Sequence, residues 1–349
     1  MTVECLISLG ANLGDRAETI RRALEKLSDP PEVTVRRASR LYETRPVGGP
    51  PGQPGFLNAA AVLETSLPPA ELLAVLLHTE AALGRMRGLR WAPRPIDLDL
   101  LLYGEAVLTT PSLMLPHPRM AWRRFVLEPA AEIAPDMRHP TTGWTIAGLL
   151  GHLRGTPYYL AMTGSIAAGK TELAGRVTGQ MGARGVYEKI DKEQLAAFYA
   201  NPASQAWSLE LEFLQQRARL LSDRAEFWQD RSTPVMSDFW FDQSAAFVGV
   251  WLAPGQYARF VERFEFARKR VARPRLVVFL QSSGEQLRER LLRRGRACER
   301  GLTATDLERI QQAIDRQTRQ PDVGPVLRIG GDDLETAFEE VAAALGAMK

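Results

Sequence analysis

The stretch Trp91-Ala92-Pro93-Arg94-Pro95-Ile96-Asp97-Leu98-Asp99-Leu100-Leu101-Leu102-Tyr103 decides how the first half of the chain is read. It is a stiff, basic lead-in to an apolar run that carries two carboxylates. Successive side chains of a strand point to opposite faces, so Asp97 and Asp99 share one face, roughly 7 Å apart. Ile96, Leu98 and Leu100 then point the other way, into a core. Two carboxylates side by side on a rigid element repel each other unless a cation lies between them. Hard oxygen ligands suit Mg²⁺, which binds through one or two carboxylates plus substrate phosphates. Arg94, just ahead, offers a bidentate fork to a phosphate. The minimal reading is a metal-dependent phosphoryl-transfer site.

Working outward, 349 residues suggest about two domains. Apolar (45%) and charged (24%) contents are those of an ordinary globular protein. A net charge of +3, with no basic patch interleaved with aromatics, argues against nucleic-acid binding. Cys5 and Cys298 are too few and too far apart for a disulfide framework or a metal cluster, and a reducing compartment is expected. The N-terminus lacks a basic segment followed by a long apolar run, so no signal peptide is read. Nothing approaches the ~20 apolar residues of a membrane span. A cytoplasmic protein without membrane contact is the expectation.

The first half reads as strand 5–10, a helix from Arg16 to Leu27 capped by Asp15, strand 33–42, a Gly- and Pro-rich loop 44–55, strand 59–64 and a helix from Pro68-Pro69 to Leu83. A basic loop, Gly84 to Arg90, leads to the strand of Asp97. The order β-α-β-β-α-β predicts an α+β, ferredoxin-like unit.

Five separated motifs carry a resemblance: Ser8 to Asp15; Tyr42-Glu43-Thr44 with Phe56-Leu57-Asn58; Gly84 to Arg87; Trp91 to Asp99; and Leu115 to Arg119 with Arg123 to Leu127. Together they make residues 3–154 resemble 6-hydroxymethyl-7,8-dihydropterin pyrophosphokinase, an enzyme of folate biosynthesis. The resemblance implies that Asp97 and Asp99 hold two Mg²⁺ ions bridging ATP and the pterin hydroxymethyl group. It implies that Arg85 and Arg94 contact the triphosphate during transfer. Glu80, Arg87, His117 and Arg123 would serve ATP, and Thr44, Val47, Phe56, Asn58, Trp91 and Phe125 the pterin. Arg45, Ala92 and Pro95 stand where the family often has Pro, Gly and Thr. None of these departures removes a metal ligand.

Arg154 to Pro157 is a short joint, so domains 1–155 and 156–349 are expected. Strand 158–163 runs into Gly164-Ser165-Ile166-Ala167-Ala168-Gly169-Lys170-Thr171, a full G-x-x-x-x-G-K-[ST] phosphate loop in its strand–loop–helix setting. Its backbone N–H groups would wrap ATP phosphates, Lys170 would reach the β- and γ-phosphates, and Thr171 would hold one Mg²⁺. Further strands are read at 186–188, 234–238, 276–280 and 326–329, which predicts a parallel α/β sheet with ligands at its carboxyl ends.

Residues 158–335 resemble the deoxynucleoside kinases. The resemblance implies Glu188 as general base toward a nucleoside 5′-hydroxyl, Tyr199 and Glu299 at the sugar 3′-hydroxyl, and Trp207 and Glu212 on a helix facing the base. Arg290, Arg294 and Arg296 match the family's arginine-rich lid, Arg294 and Arg296 serving ATP. Asp238 is expected on the nucleoside side. After the third strand the family has an acidic residue followed by Arg and Ser, whereas this chain has Asp238-Phe239-Trp240, so that Arg is missing. Trp207, Phe213 and Trp240 read equally well as core. The chain is thus expected to be a bifunctional kinase of small molecules, a dihydropterin and a deoxynucleoside, with ATP as co-substrate. Other readings of the second half are a different small-molecule P-loop kinase, or a nucleotide-binding docking module without catalysis. The kinase resemblance leaves a homodimer through that domain open.

Overall fold

Alternation of apolar and polar residues builds the first sheet of the computed structural model, which describes residues 2–86 and 91–349. Its strands are β1 (Val3–Ala11), β2 (Val33–Ala38), β3 (Tyr42–Thr44), β4 (Phe56–Thr65) and β5 (Asp97–Tyr103). Helices α1 (Arg16–Lys26) and α2 (Pro69–Ala82) follow β1 and β4. A small hairpin, β6 (Leu108–Thr109) with β7 (Met114–Leu115), and helices α3 (Arg124–Ile133) and α4 (Ile146–Gly155) complete this half. The sheet is antiparallel, in the order β2-β4-β1-β5, with β3 added along β4.

The expected single strand 33–42 is two strands. The β2–β4 register shifts between Val35 and Arg37, and Ser39 then exchanges hydrogen bonds with Ala60 through both its backbone N–H and its Oγ. That bulge turns the chain so that β3 resumes pairing opposite Phe56 to Asn58. Asp15 caps α1 as read, its Oδ1 accepting from Glu18 N at 3.0 Å.

One face of the sheet is core. Cys5, Ile7, Leu9, Ala59, Ala61, Leu63, Leu98 and Leu100 pack against Ile20 and Ala23 of α1 and Leu72 and Leu76 of α2. The other face carries Ser8, Gly10, Asn58, Asp97 and Asp99, and α3 packs on its β4 side. Strand β5 ends the sheet. The Leu98 N–H is accepted by Glu80 Oε1 at 2.7 Å, from a side chain only 3% exposed. A buried carboxylate on α2 thus fixes the strand that bears both aspartates.

The second half is a parallel α/β unit. Its strands are β8 (Tyr159–Gly164), β9 (Arg184–Val186), β10 (Val235–Ser237), β11 (Leu276–Gln281) and β12 (Val326–Gly330), in the order β12-β11-β8-β10-β9. Around them lie α5 (Lys170–Met181), α6 (Lys192–Ala200), α7 (Pro202–Leu220), α8 (Gln243–Trp251), α9 (Pro254–Arg268), α10 (Gly284–Arg294), α11 (Ala304–Thr318) and α12 (Leu334–Ala347). Strands β8 and β11 are apolar and buried almost throughout, as strands covered on both faces must be. Among the described residues no helix is long and apolar enough to cross a membrane.

The chain divides into a unit of Met1–Arg154 with Ala343–Lys349, and a unit of Gly155–Ala342. Residues 343–349, expected in the second domain, group with the first, where Arg124 Nη1 donates to the Lys349 carbonyl at 2.8 Å.

Replacing Glu80 by Ala strands the Leu98 N–H without its acceptor. Urea unfolding of Glu80→Ala is expected to show a loss of about 1–3 kcal/mol, and an unchanged midpoint would mean that β5 does not depend on this contact.

Candidate active sites

In the first unit the antiparallel register aligns Asn58, Gly10 and Asp97 across three neighbouring strands. Glycine matters here because a Cβ on Gly10 would stand 3.3 Å from Asn58 Oδ1, 3.8 Å from the Phe56 ring and 4.0 Å from Asp97 Cβ. The bare backbone joins a side made of amide and aromatic groups to a side made of carboxylates. On the first side, Asn58 Nδ2 donates to Thr44 Oγ1 at 2.8 Å. The Trp91 ring lies against Gly48, next to Val47. Arg123 lies over the Phe125 ring, 5.5 Å from its centroid, and points Nη1 to within 3.9 Å of Asp99 Oδ2.

Asp97 is the charged centre. Arg85 Nη1 is 2.5 Å from its Oδ1 and Arg94 Nη1 is 2.9 Å from its Oδ2. Burial, and then the neighbouring Asp99 charge, push the Asp97 carboxyl above its ordinary range, against the pull of both arginines. That is the response of a carboxylate pair short of positive charge, and it is what a divalent cation would relieve. Arg94 Nε is buried and makes no hydrogen bond among the described residues, which leaves a donor for an anion. The Arg94 backbone is clamped by Asn12, which accepts from Arg94 N through Oδ1 at 2.8 Å and donates its own N–H to Arg94 O at 3.2 Å.

Asn12 lies inside a quoted motif, but nothing along the chain tells that it meets Arg94, 82 residues away. Glu80, expected to serve ATP, is enclosed and paired with Arg85, so it acts on the site through Arg85 and β5. His117 is half-buried beside Arg123 and Arg119; desolvation first, then those charges, lower its pKa to about 3. It is therefore a neutral imidazole, with Nδ1 accepting from Arg119 N at 3.2 Å. Arg87 lies outside the described residues.

In the second unit three strand ends converge. The phosphate loop leaves β8, Glu188 lies just past β9, and Asp238 follows β10. Gly169 has φ +92° and Ala167 φ +63°, which turn successive N–H groups inward ahead of α5. Gly164 has φ +148°, and a Cβ there would meet the Leu280 carbonyl at 2.7 Å. Lys170 Nζ donates to the Gly164 and Ser165 carbonyls at 2.9 and 2.8 Å, and burial lowers its pKa to about 8.

Asp238, expected on the nucleoside side, lies at the phosphate end. Its Oδ2 accepts from Thr171 Oγ1 at 2.7 Å and its Oδ1 from Glu188 N at 3.1 Å. Tyr199 and Glu299 come near each other where α6 meets the 3₁₀ turn Ala297–Glu299. Glu299, 2% exposed, is held by Arg294 and Arg296, while Arg290 is tied to Ser282 and the Gly331 carbonyl.

The expectation for α7 needs correction. Glu212 is exposed, and Trp207 packs on Phe260 between Arg259 and Arg263. The inward stripe instead carries Ala206, Leu209, Glu210, Leu214 and Arg217, at helical spacing. Glu210 and Arg217 are the functional candidates that sequence reasoning missed. Counting 3.6 residues per turn back from apolar Leu214 would have favoured Glu210 over Glu212.

Among the described residues no three His, Cys, Asp or Glu side chains cluster to hold a metal unaided. The Asp97–Asp99 face and the Thr171–Asp238 pair instead supply a few hard oxygens each, the donor set of a Mg²⁺ ion that shares its sphere with phosphates.

Residues 6–135 match the family described as 7,8-dihydro-6-hydroxymethylpterin-pyrophosphokinase, and residues 160–345 match the deoxynucleoside kinase family. The 2-amino-4-hydroxy-6-hydroxymethyldihydropteridine pyrophosphokinase of Pseudomonas aeruginosa is 46% identical over 134 residues, 38% of this chain and 82% of that protein. The enzyme of the same name from Synechocystis is 38% identical over 167 residues, 48% of this chain and 85% of its own. The folic acid synthesis protein fol1 of Pneumocystis carinii is 44% identical over 141 residues, 40% of this chain and 19% of that protein. A solved deoxyadenosine kinase from M. mycoides aligns with a TM-score of 0.46 at 15% identity, covering 55% of this chain and all of that one.

Burial pushes the Glu210 carboxyl up to about 7 from an ordinary 4.5; Arg217 pulls it down and Glu188 adds to the rise. A carboxyl with a raised folded-state pKa contributes stability that is complete below its unfolded value and lost as pH climbs through the folded one. Stability of the second unit is therefore expected to fall by on the order of 3 kcal/mol between pH 5 and 8, and Glu210→Gln to flatten that slope. Denaturant titrations of both proteins across this range check it.

Proposed function

The chain belongs to the 7,8-dihydro-6-hydroxymethylpterin-pyrophosphokinase family through residues 6–135 and to the deoxynucleoside kinase family through residues 160–345, and we propose from this premise that it runs two separate ATP-dependent transfers. The first passes the β,γ-diphosphoryl group of ATP to the hydroxymethyl oxygen of the dihydropterin and releases AMP. The second passes a γ-phosphoryl group to the 5′-hydroxyl of a deoxynucleoside and releases ADP. The α-β-β-β-α-β order after β1, in which β2 and β3 stand for one interrupted strand, and the antiparallel sheet support a ferredoxin-like assignment for the first unit.

The observation that carries the first activity is the Asn58–Gly10–Asp97 row, flanked by Arg85 and Arg94. Thr44, Asn58, Phe56 and Phe125 grip a flat polar ring, with Val47 and Trp91 over it. Two Mg²⁺ ions held by Asp97 and Asp99 would neutralise phosphate charge and align the hydroxymethyl oxygen. Arg85 and Arg94 turn from Asp97 toward the triphosphate, and His117 and Arg123 hold the nucleotide. Transfer of this kind is mostly positioning and charge stabilisation.

In the second unit the phosphate loop and Lys170 cradle ATP, with Thr171 and Asp238 as the candidate holders of one Mg²⁺. Glu188 takes the proton of the acceptor hydroxyl. Arg294 and Arg296 close on the phosphoryl group, and Tyr199 and Glu299 meet the sugar. Glu210, rather than Glu212, faces the acceptor.

Two single variants of the full chain separate the activities. Asp97→Asn is expected to lower pterin diphosphate formation at least about 100-fold and to leave deoxynucleoside phosphorylation within about twofold. Lys170→Ala is expected to do the reverse. A wild-type chain that phosphorylates none of the common deoxynucleosides overturns the second assignment, and an Asp97→Asn variant with full pterin activity overturns the first.

A further inference from the structure

Residues 45–55, between β3 and β4, form no strand or helix, so what touches this loop sets its place. Trp91 lies against Gly48 and Gly49. A Cβ on Gly48 would stand 3.0 Å from Trp91 Cε3, and one on Gly49 would stand 2.3 Å from the Trp91 carbonyl oxygen. Val47 meets a different neighbour, Gly346 in the last turn of α12. A Cβ on Gly346 would stand 3.2 Å from Val47 Cγ1, 3.7 Å from Cγ2 and 3.9 Å from Cβ. Gly346 is not in the left-handed region, so its bare backbone serves the close approach and not a turn.

Residues 343–349 belong to the first unit. Ala344, Leu345, Ala347 and Met348 are each no more than 5% exposed. Met348 N donates to the Leu345 carbonyl at 3.3 Å and Lys349 N to the Gly346 carbonyl at 3.4 Å, which carries the turn on past Gly346. Arg124, next to Phe125 on α3, donates Nη1 to the Lys349 carbonyl and Nε to Glu128 Oε1, both at 2.8 Å. One segment therefore touches the side proposed for the pterin twice, at Val47 and beside Phe125.

We infer that residues 343–349 are a backstop for the loop of the first site, with Gly346 the positioning residue that sets how far Val47 reaches over the pterin ring. The inference rests on the dihydropterin reading of that site. A side chain that covers a flat ring must arrive at a fixed height, since one too far out loses the contact and one too far in shuts the ring out. Val47 is branched at Cβ and stiff about χ1, so its methyls cannot swing aside and a push from position 346 passes to the loop. The buried side chains on either side of Gly346 keep that position from yielding instead. Gly346 touches neither pterin nor ATP in this scheme and acts through Val47. Arg94, His117 and Arg123, given to ATP, are not on this loop, so a misplaced Val47 is felt by the pterin and not by the nucleotide.

The test is a double-mutant cycle in the full chain, Gly346→Leu against Val47→Ala. It is read calorimetrically as the Kd of 6-hydroxymethyl-7,8-dihydropterin with a non-hydrolysable ATP analogue present, beside the KM for ATP. Gly346→Leu is expected to weaken pterin binding about tenfold with the KM for ATP within about twofold. Val47→Ala makes room, so in that background Gly346→Leu is expected to cost less than about twofold more. Should Leu prevent folding, Gly346→Ala carries the same cycle. Ala suits a helix better than Gly, so this variant is expected to resist urea at least as well as the wild type and still to bind pterin about threefold more weakly, an effect lost in the Val47→Ala background. Equal fractional effects in both backgrounds, unchanged pterin affinity, or an equal loss for ATP overturns the backstop. A wild type that binds no dihydropterin overturns the reading of the first site itself and takes this inference with it.

Discussion

Carboxylates withdrawn from water are held here by arginines, and both candidate sites are built around that pairing. Asp97 lies between Arg85 and Arg94, Glu188 against Arg217, and Glu299 under Arg294 and Arg296. A carboxylate withdrawn from water needs a partner, and an unpaired one is costly. The same guanidiniums are forks that fit phosphate. Under the proposed reactions cations already stand where a polyphosphate would arrive, and binding would exchange partners instead of creating uncompensated charge. The pairs differ in how free they are to exchange. Arg85 and Arg94 are a fifth to a quarter exposed and face an open site, whereas Arg217 is enclosed by two aromatic rings.

Each fold brings such pairs together by its own geometry. In the first unit it is lateral register: neighbours across an antiparallel sheet share a face, so Asn58, Gly10 and Asp97 line up although they are distant in sequence. Gly10 keeps the row low enough for a ligand to span. In the second unit it is the end of the sheet. Parallel strands β9, β10 and β8 finish side by side, so Glu188, Asp238 and the phosphate loop meet there. The helices supply the correcting charges, Glu80 from α2 and Arg217 from α7.

Much of this was legible along the chain because it depends on local rules. Period-two alternation marked β5 and put both aspartates on one face. The phosphate-loop spacing fixed a strand, a loop and a helix N-terminus at once, and three positive-φ residues, Gly164, Ala167 and Gly169, lie within it. Boundaries were read less well where a bulge intervened, as between β2 and β3, because a register shift depends on the partner strand.

Side-chain partners were not legible. The sequence by itself determined that Asp97 and Asp99 share one face of a strand, that a phosphate-loop spacing joins β8 to α5, and that the second sheet is parallel, since these follow from residue type, spacing and period. Only the tertiary structure decided that Asn12 clamps Arg94, that Asp238 turns to Thr171, that α7 presents Glu210 and hides nothing at Glu212, and that Arg217 stands beside Glu188 over Phe239. The physical reason is that a buried charge is satisfied by whichever group packing brings within hydrogen-bond reach, and packing joins residues that no spacing along the chain relates.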